Sequence, residues 1–194
     1  QALNARIARY TSRTDEARHL YRALLADAPD DAWALFHYTR LRGTKEDYES
    51  ALQAVETVLE DGELMRAKGV FADAAICLNA WIGNDKAAED ELARWETTWR
   101  SRHAFGFNVS FARNDFLARS LACVGRKDDA LTELEALVKE GYDIGWRDMA
   151  VDPAYDPIRG DPRFKAVSDK LKAADAAARD AAGAAAGRDR RRQS

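Results

Sequence analysis

Turn-forming residues are scarce in this chain: 11 glycines and 4 prolines in 194 residues, about 8% together against roughly 12% in average proteins. A β-sandwich or barrel needs a turn every 8–12 residues or so, so the composition argues against both. Long hydrophobic runs are missing as well, and no stretch approaches the roughly 18 uncharged apolar residues that cross a bilayer. Neither sign of charge is in excess. With 30 basic and 33 acidic groups the formal net charge is −3, which favours neither nucleic acid nor an acidic membrane surface. What the chain has in quantity is alanine, 38 residues, within a hydrophobic share of 46%. That share supports a core and argues against global disorder. The length fits one domain or one short repeat array.

Reactive side chains are few. The three histidines, His19, His37 and His103, form no metal-type spacing. His19 falls on the outward side of a helix, whereas His37, beside Phe36, suits a core or concave position. No Gly-rich phosphate loop and no Gly-x-Ser-x-Gly setting is present. The run Glu89-Asp90-Glu91 is a solvated face. No catalytic constellation emerges, and no cofactor or metal is implied. Cys77 and Cys123 lie 46 residues apart, a spacing that matches no zinc site and no redox pair. The preferred reading makes both of them small buried apolar residues. A disulfide or a reactive thiol is the alternative, and the compartment stays open. The chain opens at Gln1 without an apolar signal segment, as an excerpt or a processed start would.

Four segments share one pattern, an Ala followed by apolar residues at +4 and +7: Ala17/Tyr21/Leu24, Ala51/Val55/Val58, Ala88/Leu92/Trp95 and Ala130/Leu134/Leu137. Each set lies on one helical face. The alanines recur at intervals of 34, 37 and 42 residues. Gly83 and Gly125 stand five residues before the third and fourth alanines, where a tight helix–helix turn takes a left-handed residue. Ser12 takes that place before Ala17. Gly43 precedes Ala51 by eight residues, so that turn is longer or its first helix shorter. Pro29 closes the first unit. The spacing predicts antiparallel helix pairs.

The 34-residue interval, the Ala opening each second helix, Tyr21 four residues on, and Pro29 resemble the tetratricopeptide repeat. Leu117-Ala118-x2-Leu121 ahead of Gly125 and Ala130 is similar to it too, while the middle units lack the usual Trp, Leu-Gly and Tyr of the first helix. The resemblance covers about 1–142. It implies an all-α, right-handed α-solenoid of about four helix pairs that binds a protein or peptide in its concave groove. Gln1 would then lie inside a first helix, and the array would look cut and open at that end. A second copy could cover such an end. Other helical-pair solenoids remain the alternative.

Residues 143–182 read as a capping segment. Three of the four prolines follow an Asp, at Asp152-Pro153, Asp156-Pro157 and Asp161-Pro162, a pairing that starts helices. From Pro162 a longer helix carries the apolar stripe Phe164, Val167 and Leu171, with Trp146 and Met149 assigned to the same cap. This ending resembles those that follow tetratricopeptide arrays in bacterial signalling proteins. Alanines prolong the last helix to about Ala182. Gly183 and Gly187 then predict release into a disordered basic tail, 183–194.

Under that resemblance the first helices line the groove, which nominates Trp33, Arg40, Asp73, Cys77, Asp115 and Arg119 as partner-binding residues. Arg40 and Arg119 suit a peptide carboxylate or an acidic segment, and inter-repeat salt bridges are the plainer reading of the same residues. A second surface is nominated by the aromatic and basic stretch containing Trp99, Arg102, Phe105 and Phe107, which either receives a partner or folds back into the core. The functional expectation is a non-enzymatic protein-interaction module, the sensory or scaffolding part of a bacterial regulatory protein, placed in the cytoplasm with the periplasm as the alternative. A stand-alone adaptor and a small-molecule sensor are the competing readings.

Overall fold

The computed structural model describes residues 1–29, 31–60, 65–100, 115–141 and 144–192, and contains no strand among them. In chain order come α1 (Ala2–Tyr10), α2 (Thr14–Asp27), α3 (Ala32–Tyr38), α4 (Lys45–Glu60), α5 (Met65–Ile82), α6 (Asp85–Arg100), α7 (Phe116–Cys123) and α8 (Lys127–Lys139), with α4 packed chiefly on α5 rather than on α3. Then follow α9 (Trp146–Val151), a 3-10 turn (Pro153–Tyr155) and the long α10 (Pro162–Arg192).

The local signals act as chemistry requires. Gly83 and Gly125 take positive φ, +89° and +82°, and Ser12 does the same at 60°, so three inter-helix turns share one left-handed residue. Asp31 caps α3 by accepting from the backbone N–H groups of Trp33 and Ala34, each at 3.0 Å. Asp152 caps the 3-10 turn through Ala154 N–H, and Asp161 accepts from Arg163 N–H at the start of α10. Ala17, Ala51, Ala88 and Ala130 are all buried. Phe164, Val167 and Leu171 are buried too, on the part of α10 that lies against α8. Helix α10 carries on through Gly183 and Gly187 to Arg192.

The open right-handed α-solenoid predicted from the spacing does not form, and the tetratricopeptide resemblance fails with it. Helix α1 packs against α9, α5 against α7, and the 3-10 turn against α7. Ties between helices so far apart in the chain make a closed globular bundle. Two apolar clusters fill it. One is built from α1 to α5 around Tyr21, Leu35, Val55 and Phe71, and the other from α5 to α10 around Leu117, Leu134, Met149 and Phe164. Helix α5 supplies both, sending Leu78 to the first and Ile76 to the second. The physical reason for the discrepancy is simple. An Ala with apolar residues at +4 and +7 reports that a helix has a close-packed face, but not what covers it.

The cysteines also depart from expectation. Cys77 on α5 and Cys123 on α7 form a disulfide, with Cα atoms 5.2 Å apart, well inside the usual span of such bonds. Side-by-side packing of α5 and α7 brings them together. Among the described residues no helix is long and apolar enough to cross a membrane.

Candidate functional site

Four of the nominated residues meet, though not on a groove surface. Arg40 follows α3, Asp73 sits mid-way along α5, Asp115 precedes α7 and Arg119 lies within it. All four are buried, Asp73 and Arg119 completely. Arg119 donates Nη1–H to Asp73 Oδ2 and Nε–H to Asp152 Oδ2 at 2.9 Å. Arg40 donates to the same Asp73 oxygen at 3.1 Å and has Asp152 at 3.8 Å and Asp115 at 4.0 Å. Ser120 donates to the other Asp73 oxygen. The Tyr155 hydroxyl donates to Asp115, whose side chain therefore leaves the N-terminus of α7 uncapped. Phe36 lies 3.9 Å beneath the Arg40 guanidinium, a favourable cation–π position.

Three aspartates face two arginines here, so one carboxylate is in surplus. Burial pushes the Asp73 carboxyl up to about 6 against the pull of Arg119 and Arg40. Burial acts on Asp152 as well, but Arg119 and Arg40 outweigh it and hold that group below the ordinary carboxylate range. Burial, reinforced by Asp115, raises Tyr155 well above the usual phenol value, so it remains a donor. Arg119 is kept protonated by its aspartates. This cluster is a fully engaged cross-link between α5, α7, the end of α3 and the 3-10 turn.

Above it opens a cleft of about 210 Å³ lined by Arg9, Arg40, Arg42 and Arg159, with Ser12 and Thr14 at the α1–α2 turn. Among the described residues no carboxylate lines it; Asp148 and Asp156 pair with Arg9 and Arg42. Arg9, 3% exposed, donates Nη1–H to Asp148 at 2.5 Å and to His37 Nδ1 at 3.1 Å. Its Nε and Nη2 are buried without a hydrogen-bond partner. Tyr10 shares Asp148 at 2.9 Å. Because an arginine only donates, His37 accepts on Nδ1 and its ring is neutral, and burial together with Arg9 lowers its pKa to about 3. Arg159 is locked by the carbonyls of Met149, Ala150 and Asp152. Arg42 pairs with Asp156 at 2.6 Å and has a side chain 59% exposed.

The other nominations separate from this site. Cys77 is fully buried in the disulfide and presents nothing to a partner. Trp33 is 40% exposed and packs edge-on against the His37 ring, away from the arginine–aspartate cluster. Arg102, Phe105 and Phe107, like the side chain of Trp99, lie outside the described residues. Sequence reasoning missed Arg9, Arg42, Asp148, Asp152 and Arg159. For Asp152 a signal existed, since Asp before Pro marks a cap, but its second oxygen also serves Arg119. For Arg9 none did. Among the described residues no group of metal-binding side chains occurs.

The chain matches no protein-family model, no curated protein and no solved structure. The tetratricopeptide assignment therefore lacks support from relatives as well as from packing.

Proposed function

We propose that this chain is a binding domain that docks an acidic group of a protein or peptide partner into the arginine cleft. The observation behind this reading is the convergence of Arg9, Arg40, Arg42 and Arg159 on one cavity that no carboxylate lines among the described residues. At about 210 Å³ the cavity is smaller than the roughly 300–1,000 Å³ of pockets that enclose a drug-sized ligand. It suits one group of a larger partner. Ion pairs behind the cleft pre-orient the guanidiniums, which lowers the ordering cost of binding. The buried disulfide favours an oxidising compartment over the reducing cytoplasm.

Arg42 is the arginine to test, because it is exposed and its loss spares the buried cluster; Arg40 and Arg119 are unsuitable, since replacing either strands a buried aspartate. Fluorescence anisotropy with acidic and lysine-substituted peptides provides the readout. Arg42→Ala should weaken capture of the acidic peptides about tenfold and leave the melting temperature nearly unchanged. Equal capture of both peptide sets by the wild-type chain would refute the reading.

A further inference from the structure

We infer that the outward face of α1 is a docking surface for an acidic amphipathic helix of a partner protein, distinct from the arginine cleft. A surface helix ordinarily buries its bulky apolar residues and leaves small or polar ones outside. Helix α1 does the reverse. Its buried residues are Ala5, Ala8 and Arg9, small enough at the alanines for α2 to pack closely. Leu3 and Ile7 meanwhile stay 68% and 44% exposed. With the half-buried Tyr10 they stand at i, i+4 and i+7, so the three share one face. Among the described residues the one other large apolar side chain exposed to this degree is Trp33, on α3. Contiguous apolar surface marks an interface, whereas single exposed residues do not.

The charge around this face points to what it receives. Among the described side chains every arginine except Arg6 and Arg147 is paired with a carboxylate. Arg6 is exposed on α1 itself, and α1 contains no acidic residue. Arg147 is exposed on α9, which packs against α1. It adjoins Asp148, whose carboxylate is already taken by Arg9 and Tyr10. Both free guanidiniums are stacked rather than neutralised, Arg6 at 5.7 Å from the Tyr10 ring centre and Arg147 at 5.4 Å from that of Trp146. Stacking steadies the guanidinium plane and leaves N–H donors for a carboxylate.

An apolar pair flanked by unpaired arginines is complemented by a helix that carries apolar residues one turn apart with Glu or Asp beside them. The apolar contact supplies the anchor, and carboxylates on Arg6 and Arg147 set the orientation. A second copy of this chain fits less well. A two-fold contact through α1 would bring two arginine-bearing faces together, with no acidic residue on the helix to offset them. A lipid surface also fits less well, because polybasic membrane sites gather about 4–8 Lys or Arg. Leu3, Arg6, Ile7 and Arg147 do not line the cleft, so this surface stands or falls independently of it.

Fluorescence anisotropy on the full chain tests the assignment with three helical peptides: one with a leucine pair at i, i+4 flanked by Glu, one with Lys replacing each Glu, and one with Ser replacing the leucines. The Glu peptide should bind about tenfold or more tightly than either of the others. Leu3→Ser/Ile7→Ser should weaken its capture about tenfold, and Arg6→Glu/Arg147→Glu should reverse the preference in favour of the Lys peptide. Both double variants should melt close to the wild type, because the four side chains are exposed. Arg42→Ala, at the cleft, should leave capture of the Glu peptide unchanged. Equal affinity for the Glu and Lys peptides, or capture indifferent to both double variants, overturns the assignment. Capture lost in Arg42→Ala but kept in both double variants places the peptide in the cleft, which overturns this surface and spares the cleft reading. Sedimentation showing a dimer that Leu3→Ser/Ile7→Ser dissolves names a second copy as the occupant. Binding to vesicles of phosphatidylserine and phosphatidylcholine without capture of the Glu peptide names a lipid surface. Either result overturns the acidic-helix assignment.

Discussion

His37 and Asp73 give the protein two opposed responses to acid. His37 titrates near 3 in the fold against an ordinary 6.5, because burial and Arg9 disfavour its cation. The unfolded chain takes up a proton there that the fold refuses. Stability present above pH 6.5 is therefore lost as pH falls, by about 1.4 kcal/mol per unit. Asp73 behaves the other way, with burial raising it to about 6 from 3.8. The fold holds its proton more tightly, so its contribution is complete below 3.8 and disappears as pH rises through 6. Between about pH 6 and 4.5 the two slopes cancel. In His37→Gln, urea midpoints should climb as pH is lowered across that window, and in Asp73→Asn they should fall more steeply than in the wild type. Parallel pH profiles for the two variants would contradict these assignments.

At the scale of elements, the disulfide and the turns make an instructive contrast. Gly83, Gly125 and the Asp–Pro steps were legible because caps and left-handed turns involve residues within about four positions of each other. The Cys77–Cys123 bond was not, because it depends on α5 lying beside α7. Closing a loop of this length is expected to stabilise the fold by about 4 kcal/mol, chiefly by restricting the unfolded chain. A thiol reductant should lower the melting temperature of the wild type and leave that of a Cys77→Ala/Cys123→Ala chain unmoved. If both respond alike, the disulfide is not the element the reductant acts on. The cluster was half legible for the same reason. Asp73, Asp115, Arg40 and Arg119 were nominated through the tetratricopeptide resemblance, with salt bridges as the plainer reading, but helical spacing cannot say whether a charged residue faces water or an oppositely charged neighbour.

For the whole molecule the decisive contact joins α1 to α9. Arg9 and Tyr10 on α1 both donate to Asp148 on α9, across 139 residues for the arginine. An open array has no such closure, and damage at one end of it would remain local. In the closed bundle, Asp148→Ala strands a buried guanidinium and should cost about 3 kcal/mol. Amide exchange should then accelerate in α1 and in α9 together, still within one cooperative unfolding transition. Acceleration confined to α9 would argue that α1 and α9 are independent.

Helix content, the left-handed turns and the buried stripe of α10 were determined by the sequence itself. Each rests on periodicity, capping or backbone freedom within a few residues. Closure of α1 onto α9, the disulfide, and the meeting of Arg9, Arg40, Arg42 and Arg159 at one cleft were decided only by the tertiary structure. These contacts depend on which helix face covers which, a choice made by packing the entire core and by the need of buried charges for partners.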